Sequence, residues 1–146
     1  MKHILRLMVV ISLIITGLSS SAEAQTLKKN MKDSALGQFC PVAYAGMNKA
    51  VKGEAKYAST YKGKTYYSSS ADAKKMFDAD PAKYLPKYDG YCATAAAMGQ
   101  KMKSDPEIFT EYKGSLYLFS SADAKQMFEK DADAIIEKAD KAFAAK

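Results

Sequence analysis

The chemistry open to this chain rests on two cysteines set in similar surroundings. Cys40 follows Phe39 and precedes Met47, and Cys92 follows Tyr91 and precedes Met98. Three uses of such a pair compete. A disulfide between them would close a loop of about 50 residues and stabilise by roughly 4 kcal/mol on the chain-entropy account. Two thiolates with thioether help from Met47 and Met98 would suit a soft ion, Cu(I) above all. A redox-active pair usually uses Cys-x-x-Cys, which is absent here. Two inert, unpaired thiols complete the alternatives. Tyr44, Tyr88 and Tyr91 lie close to the cysteines in sequence. Their hydroxyls suit a ligand pocket, or their rings cover a small core.

What is missing narrows the chemistry. The only histidine is His3. It lies in a segment with a basic start, an apolar run from Leu7 to Leu18 and an Ala22-Glu23-Ala24 site. Those are the parts of a cleavable signal peptide over residues 1–24. The run is short of the roughly 20 residues that span a bilayer. The expectation is export to a periplasm or the exterior, with no membrane span after cleavage. An even cysteine count in that setting favours the disulfide. The mature chain then has no imidazole, so Ser-His-Asp and Cys-His catalysis and the usual catalytic zinc sites are excluded. No phosphate-binding glycine motif is present. The residues predict no enzyme, with a thiol oxidoreductase as the outlying alternative. Losing Lys2, Arg6 and Glu23 takes the net charge from +6 to +5. The basic residues are mostly lysines mixed with acids, and no arginine stripe points to nucleic acid.

The elements that must position these residues come in two copies. Tyr61-Lys62-Gly63 through Ser69-Ser70-Ala71-Asp72-Ala73-Lys74-Lys75-Met76-Phe77 recurs as Tyr112-Lys113-Gly114 through Ser120-Ser121-Ala122-Asp123-Ala124-Lys125-Gln126-Met127-Phe128. This is a tandem duplication. In each copy two Tyr- and Thr-rich runs flank a Lys-Gly turn, 55–61 with 64–68 and 108–112 with 115–119, which predicts a hairpin. A helix follows, with Ser69 or Ser120 as the expected cap and Asp72 or Asp123 in the first turn. Met76 with Phe77, and Met127 with Phe128, supply the apolar patch, and Met98 is read as a further core candidate. Asp80-Pro81 ends the first helix. Ile135, Ile136, Ala139 and Phe143 recur at helical spacing and predict a C-terminal helix docked on the core. The fold class is α+β, two tandem β-hairpin–helix units packed as one small domain. The expected organisation is an N-terminal segment 25–37 and one domain over 38–146, its repeats about 38–90 and 91–146. One unit alone buries too little apolar area to be stable. If the repeats pack about a twofold axis, equivalent cysteines near that axis would meet.

Across about residues 38 to 140 the chain resembles exported members of the YHS domain family. The resemblance lies in Pro41-Val42-Ala43-Tyr44, Ala50-Val51-Lys52-Gly53, Tyr61-x-Gly63-x-x-Tyr66, Phe77-x-x-Asp80-Pro81-x-Lys83-Tyr84-x-Pro86, Tyr88-x-Gly90-Tyr91-Cys92-Ala93, Asp105-Pro106 and Leu116-Tyr117-Leu118. It implies a small α+β unit and an association with heavy metals such as copper. Only Cys92 carries over by motif; Cys40 enters through the repeat. The expected function is an exported binding protein for a soft metal, most simply copper, with Cys40, Cys92, Met47 and Met98 as ligands. The alternative is a disulfide-stapled module without metal that binds a protein or a small ligand.

Overall fold

A computed structural model describes Gln25, Ser34 and residues 36–144. The signal peptide expected over 1–24 and most of segment 25–37 lie outside the described residues. No helix among the described residues is long and apolar enough to cross a membrane.

Each repeat is built in the same order. In the first, helix α1 (Pro41–Met47) precedes strands β1 (Ala58–Tyr61) and β2 (Lys64–Tyr67), then helices α2 (Ala71–Ala79) and α3 (Pro81–Tyr84). In the second, α4 (Ala93–Ala96) precedes β3 (Asp105–Tyr112) and β4 (Ser115–Phe119), then α5 (Ala122–Lys130) and α6 (Ala132–Ala144). The strands form two separate antiparallel hairpins. Tyr61 pairs with Lys64 in one and Tyr112 with Ser115 in the other. Both turns place two residues in the left-handed region: Lys62 at φ 49° with Gly63 at 74°, and Lys113 at 49° with Gly114 at 72°. Such turns match the right-handed twist of the strands they join. The first hairpin is shorter than expected, because Ala55–Tyr57 forms a 3-10 turn.

The helix caps fall one residue later than the sequence suggested. Ser70 accepts from the Ala73 amide at 3.1 Å and Ser121 from Ala124 at 3.2 Å. Two adjacent serines can each cap. The extended backbone of the second, at φ −156° and −157°, makes it the one at the helix entrance. Both helices then break at an aspartate, Asp80 or Asp131, and restart. The restarted helix differs in length. Leu85 precedes Pro86, which disfavours helical backbone before it. Leu85 is accordingly extended at ψ 144°, and α3 stops after four residues. No proline interrupts α6, which runs for thirteen residues.

Three apolar clusters hold the molecule. One lies inside the first repeat around Tyr66, Phe77 and Tyr84. One lies inside the second around Tyr117, Phe119, Phe128 and Ala139. The third joins them, with Leu36 and Tyr44 against Leu116 and Leu118. The methionines among the described residues are not part of this core. Met76 and Met127 are 49% and 54% exposed, and Met98, read as a core candidate, is 62% exposed. Neighbouring helical residues point about 100° apart, so when Phe77 and Phe128 face inward the methionine beside each faces water.

Candidate functional site

Each cysteine ends an aromatic bridge and starts a helix. Phe39 bridges Lys52, and Tyr91 bridges Lys103. The Cys40 amide donates to the Val51 carbonyl at 2.7 Å, and the Cys92 amide to that of Met102 at 2.9 Å. Both cysteines occupy the N-cap position, yet neither side chain makes a cap hydrogen bond. Both are buried, at 0% and 1% exposure, and both are free thiols.

The structure does not bring the two thiols together. Cys40 packs with Val42, Tyr66, Phe77 and Tyr84, while Cys92 packs with Ala93, Tyr117, Phe119 and Phe128. The helix each cysteine starts lies on its own repeat, so each sulfur faces its own core. The junction is filled instead by Tyr44, Leu116 and Leu118. This corrects the expectation of a disulfide staple and of thiols meeting at the twofold axis. Cys92 Sγ accepts a hydrogen bond from Ser120 at 3.5 Å.

The thioethers stand apart as well. Met47 is the last residue of α1 and is 53% exposed. About two helical turns separate it from Cys40 at the other end of that helix. Met98 lies beyond the end of α4 in solvent. Among the described residues no group of three or more His, Cys, Asp or Glu converges as a metal cage would require. A single centre drawing on Cys40, Cys92, Met47 and Met98 does not fit this geometry.

The tyrosines are struts across the junction. The Tyr44 hydroxyl donates to the Pro106 carbonyl at 2.9 Å, and its ring meets Phe109 edge-on at 4.8 Å, pinning α1 to the second repeat. Burial, and then the charges of Glu107 and Asp105, push its hydroxyl far above its ordinary value, since both disfavour the phenolate. Tyr88 donates to Asp140 on α6 at 3.0 Å and packs on Tyr117 and Phe143. Burial first, then the Asp140 hydrogen bond, likewise push its hydroxyl far upward. Both are neutral donors at any physiological pH. Tyr44 also borders a cleft of about 130 Å³ with Pro41, Lys83, Tyr84 and Glu111. Tyr88 borders a wider one of about 370 Å³ with Lys83, Lys87, Asp89 and Ser115. Tyr91 is half-buried under the Lys101 amine, 5.9 Å from its ring centre.

The family model of the YHS domain matches residues 46–88. Over this stretch the chain is similar to the YHS domain family. The match takes in the first hairpin, α2 and α3, and reaches Met47 and Tyr88. It contains neither cysteine. The YHS family is associated with metal binding. No curated protein and no solved structure matches the chain.

Two features of the site were not read from the sequence. Tyr88, Asp89 and Gly90 are three successive left-handed residues, at φ 57°, 54° and 79°. The Asp-Gly pair is a turn signal that points there. The hydroxyls of Tyr67 and Ser68 are buried with no hydrogen-bond partner among the described residues. Nothing in local sequence marks a hydroxyl as unpartnered, because that depends on what packs around it.

Proposed function

We propose that this chain is an exported, non-enzymatic YHS protein that binds a soft metal ion, copper foremost, through a buried thiol. The carrying observation is the pair of free cysteines at one and the same place in both repeats. That place is a helix N-cap, where Ser, Thr, Asp or Asn would hydrogen-bond the first-turn amides. A cysteine gives no such bond at either position, so capping does not account for it. A buried cysteine also fills a core as a small hydrophobe, and the test must separate that role from ligation. The thiolate is the ligand and a soft one, which favours Cu(I) over harder ions. With no histidine among residues 25–146, nitrogen ligation by imidazole is not available to the mature chain. Ion entry requires the short helix over the thiol to open, since both sulfurs are covered.

The test is anaerobic titration of the reduced mature protein with Cu(I) against a competing chelator, with native mass spectrometry to count bound ions. The expected result is a stoichiometric copper adduct that is lost when both cysteines are changed to serine. Copper binding unaffected by that double change would sink the reading.

A second reading has its own observation. The wider cleft lies where the repeats meet and is bordered by the left-handed Tyr88–Asp89 turn. Strained backbone gathers at ligand clamps. On this reading the protein holds a small polar ligand at Lys83, Lys87 and Ser115, with the thiols as core filler. A survival of copper binding in the double variant, or its absence in the parent, favours this cleft.

A further inference from the structure

The two clefts at the junction adjoin, because Lys83 and Gly114 line both. We infer that together they bind a small zwitterion with an apolar side chain, an α-amino acid. Its carboxylate lies at Lys83, its ammonium at Glu111 and its side chain beside Tyr44 and Leu116. The inference rests on the cleft reading above and names the class of ligand; it does not involve the thiols.

The groove comes from the way the first repeat ends. After α3 the chain runs extended through Leu85 and Pro86, then turns left-handed at Tyr88 and Asp89. That stretch walls the wider cleft, α1 walls the narrower one, and the β3–β4 turn lines both. Gly114 stands in that turn, and a Cβ on it would meet nothing within 4 Å, so there is open space where the clefts adjoin. Left-handed backbone is costly at a bulky residue such as Tyr88, and such strain gathers at ligand clamps.

The narrower cleft suits an apolar group. Pro41, Tyr44, Tyr84 and Leu116 line it. Its volume of about 130 Å³ is near that of a cavity known to hold benzene. The Tyr44 hydroxyl is taken by Pro106, so Tyr44 offers its ring. Two charges stand among these groups, Lys83 from the first repeat and Glu111 from the second. Neither forms an ion pair with the other or with any side chain among the described residues. The Lys83 amine lies 5.5 Å from the Tyr84 ring centre, an attraction that keeps the cation beside the apolar lining. An ion of one sign would meet one attractive and one repulsive group here. An amino acid presents both signs next to an apolar side chain and meets neither penalty. The wider cleft repeats the pattern, with Lys87 and Asp89 both exposed and both outside any ion pair among the described residues.

Amide-resolved NMR titration of the full mature chain with L-phenylalanine, phenylacetate, phenethylamine and glycine tests this. Phenylalanine should bind and shift the amides of Tyr84, Gly114 and Leu116. Phenylacetate lacks the ammonium and phenethylamine lacks the carboxylate, and each should bind about tenfold more weakly, the cost of one lost charged contact. Lys83→Gln should weaken phenylalanine by about tenfold and should not weaken phenethylamine. Glu111→Gln should weaken phenylalanine equally and should not weaken phenylacetate. Both side chains are exposed, so the variants should fold, and a merely structural role would not give this crossed pattern. Phenylacetate binding as tightly as phenylalanine overturns the zwitterion. Glycine binding as tightly as phenylalanine, and lost in Lys87→Gln, overturns the apolar side chain while the cleft reading stands. No binding of any of the four overturns the inference and the cleft reading together.

Discussion

The two repeats share a backbone plan and differ in how their interiors are finished. Both have the same bridge, cysteine, Lys-Gly turn, serine cap and aspartate break. The second repeat closes its core with Phe119, with three aromatic rings around Phe128, and with a thirteen-residue final helix. The first has serine in place of Phe119, one aromatic ring in contact with Phe77, and a four-residue helix cut short by Pro86. Backbone pattern therefore follows from turns and caps, which both copies keep, while stability and binding follow from the side chains that fill the plan. A core with hydroxyls left in it is less stable and more able to accept a guest.

The largest effect expected from this contrast is on unfolding. Phe77 and Phe128 hold equivalent places and are both fully buried. Phe128 lies 5.0 Å from the Tyr117 ring, 5.1 Å from Phe119 and 6.0 Å from Tyr112, whereas Phe77 has Tyr66 at 5.2 Å. Phe128→Ala should cost about 3–5 kcal/mol, and Phe77→Ala the low end of that range or less. Urea unfolding of the two variants measures this directly. Equal losses would mean that the first core is as well finished as the second, and the contrast would fail.

The junction offers a test of intermediate size. Tyr88 ties the end of the first repeat to α6 through Asp140. Tyr88→Phe should cost about 1.5 kcal/mol, the low end for a hydrogen bond to a charged group. The low end applies because Asp140 is itself exposed and can be rehydrated. The change should also alter the response to alkali. The Tyr88 hydroxyl ionises at higher pH in the folded chain than in the unfolded one, through burial first and the Asp140 bond second. Above the unfolded value of about 10 the unfolded chain therefore holds fewer protons than the folded one, and stability falls as pH rises. The parent melting temperature should drop between about pH 9 and 11, and the drop should be shallower in Tyr88→Phe. Identical profiles would show that Tyr88 does not carry the linkage and would leave it to Tyr44, Tyr66 and Tyr117, whose hydroxyls burial also raises.

Much of this plan was legible in the sequence, and what escaped did so for definite reasons. The duplication, the Lys-Gly turns and the C-terminal helix follow from local patterns of residue type. Facing direction does not. Met76 and Phe77 are both apolar and adjacent on a helix, and periodicity alone does not say which meets the core. The choice between Ser69 and Ser70 depends on where the strand releases the chain. The fate of the cysteines is the clearest case: equivalence within the repeats is read directly, but their separation depends on which face of each unit forms the junction. That face is made by Tyr44, Leu116 and Leu118, residues that any small core would use.

The smallest effect concerns the turn that enters each repeat. Phe39 donates its amide to Leu36 at 2.9 Å, and Tyr91 to Tyr88 at 3.0 Å, so the two turns close with the same hydrogen bond, although Gly90 is left-handed in the second and Gln38 is not in the first. Gly37 sits within the first at φ 54°, and Asp89 holds the matching place in the second, also at 54°. Glycine adopts this region freely, while an L side chain is strained there, aspartate less than most. Asp89→Gly should therefore stabilise by about 0.5 kcal/mol, the relief of strain slightly exceeding the added freedom of the unfolded chain. Gly37→Asp should destabilise by a similar amount. Asp89 has an exposed side chain beside the wider cleft. If Asp89→Gly instead destabilises, the carboxylate makes a contribution at the junction that outweighs backbone strain, and the second turn would be specialised where the first is only structural.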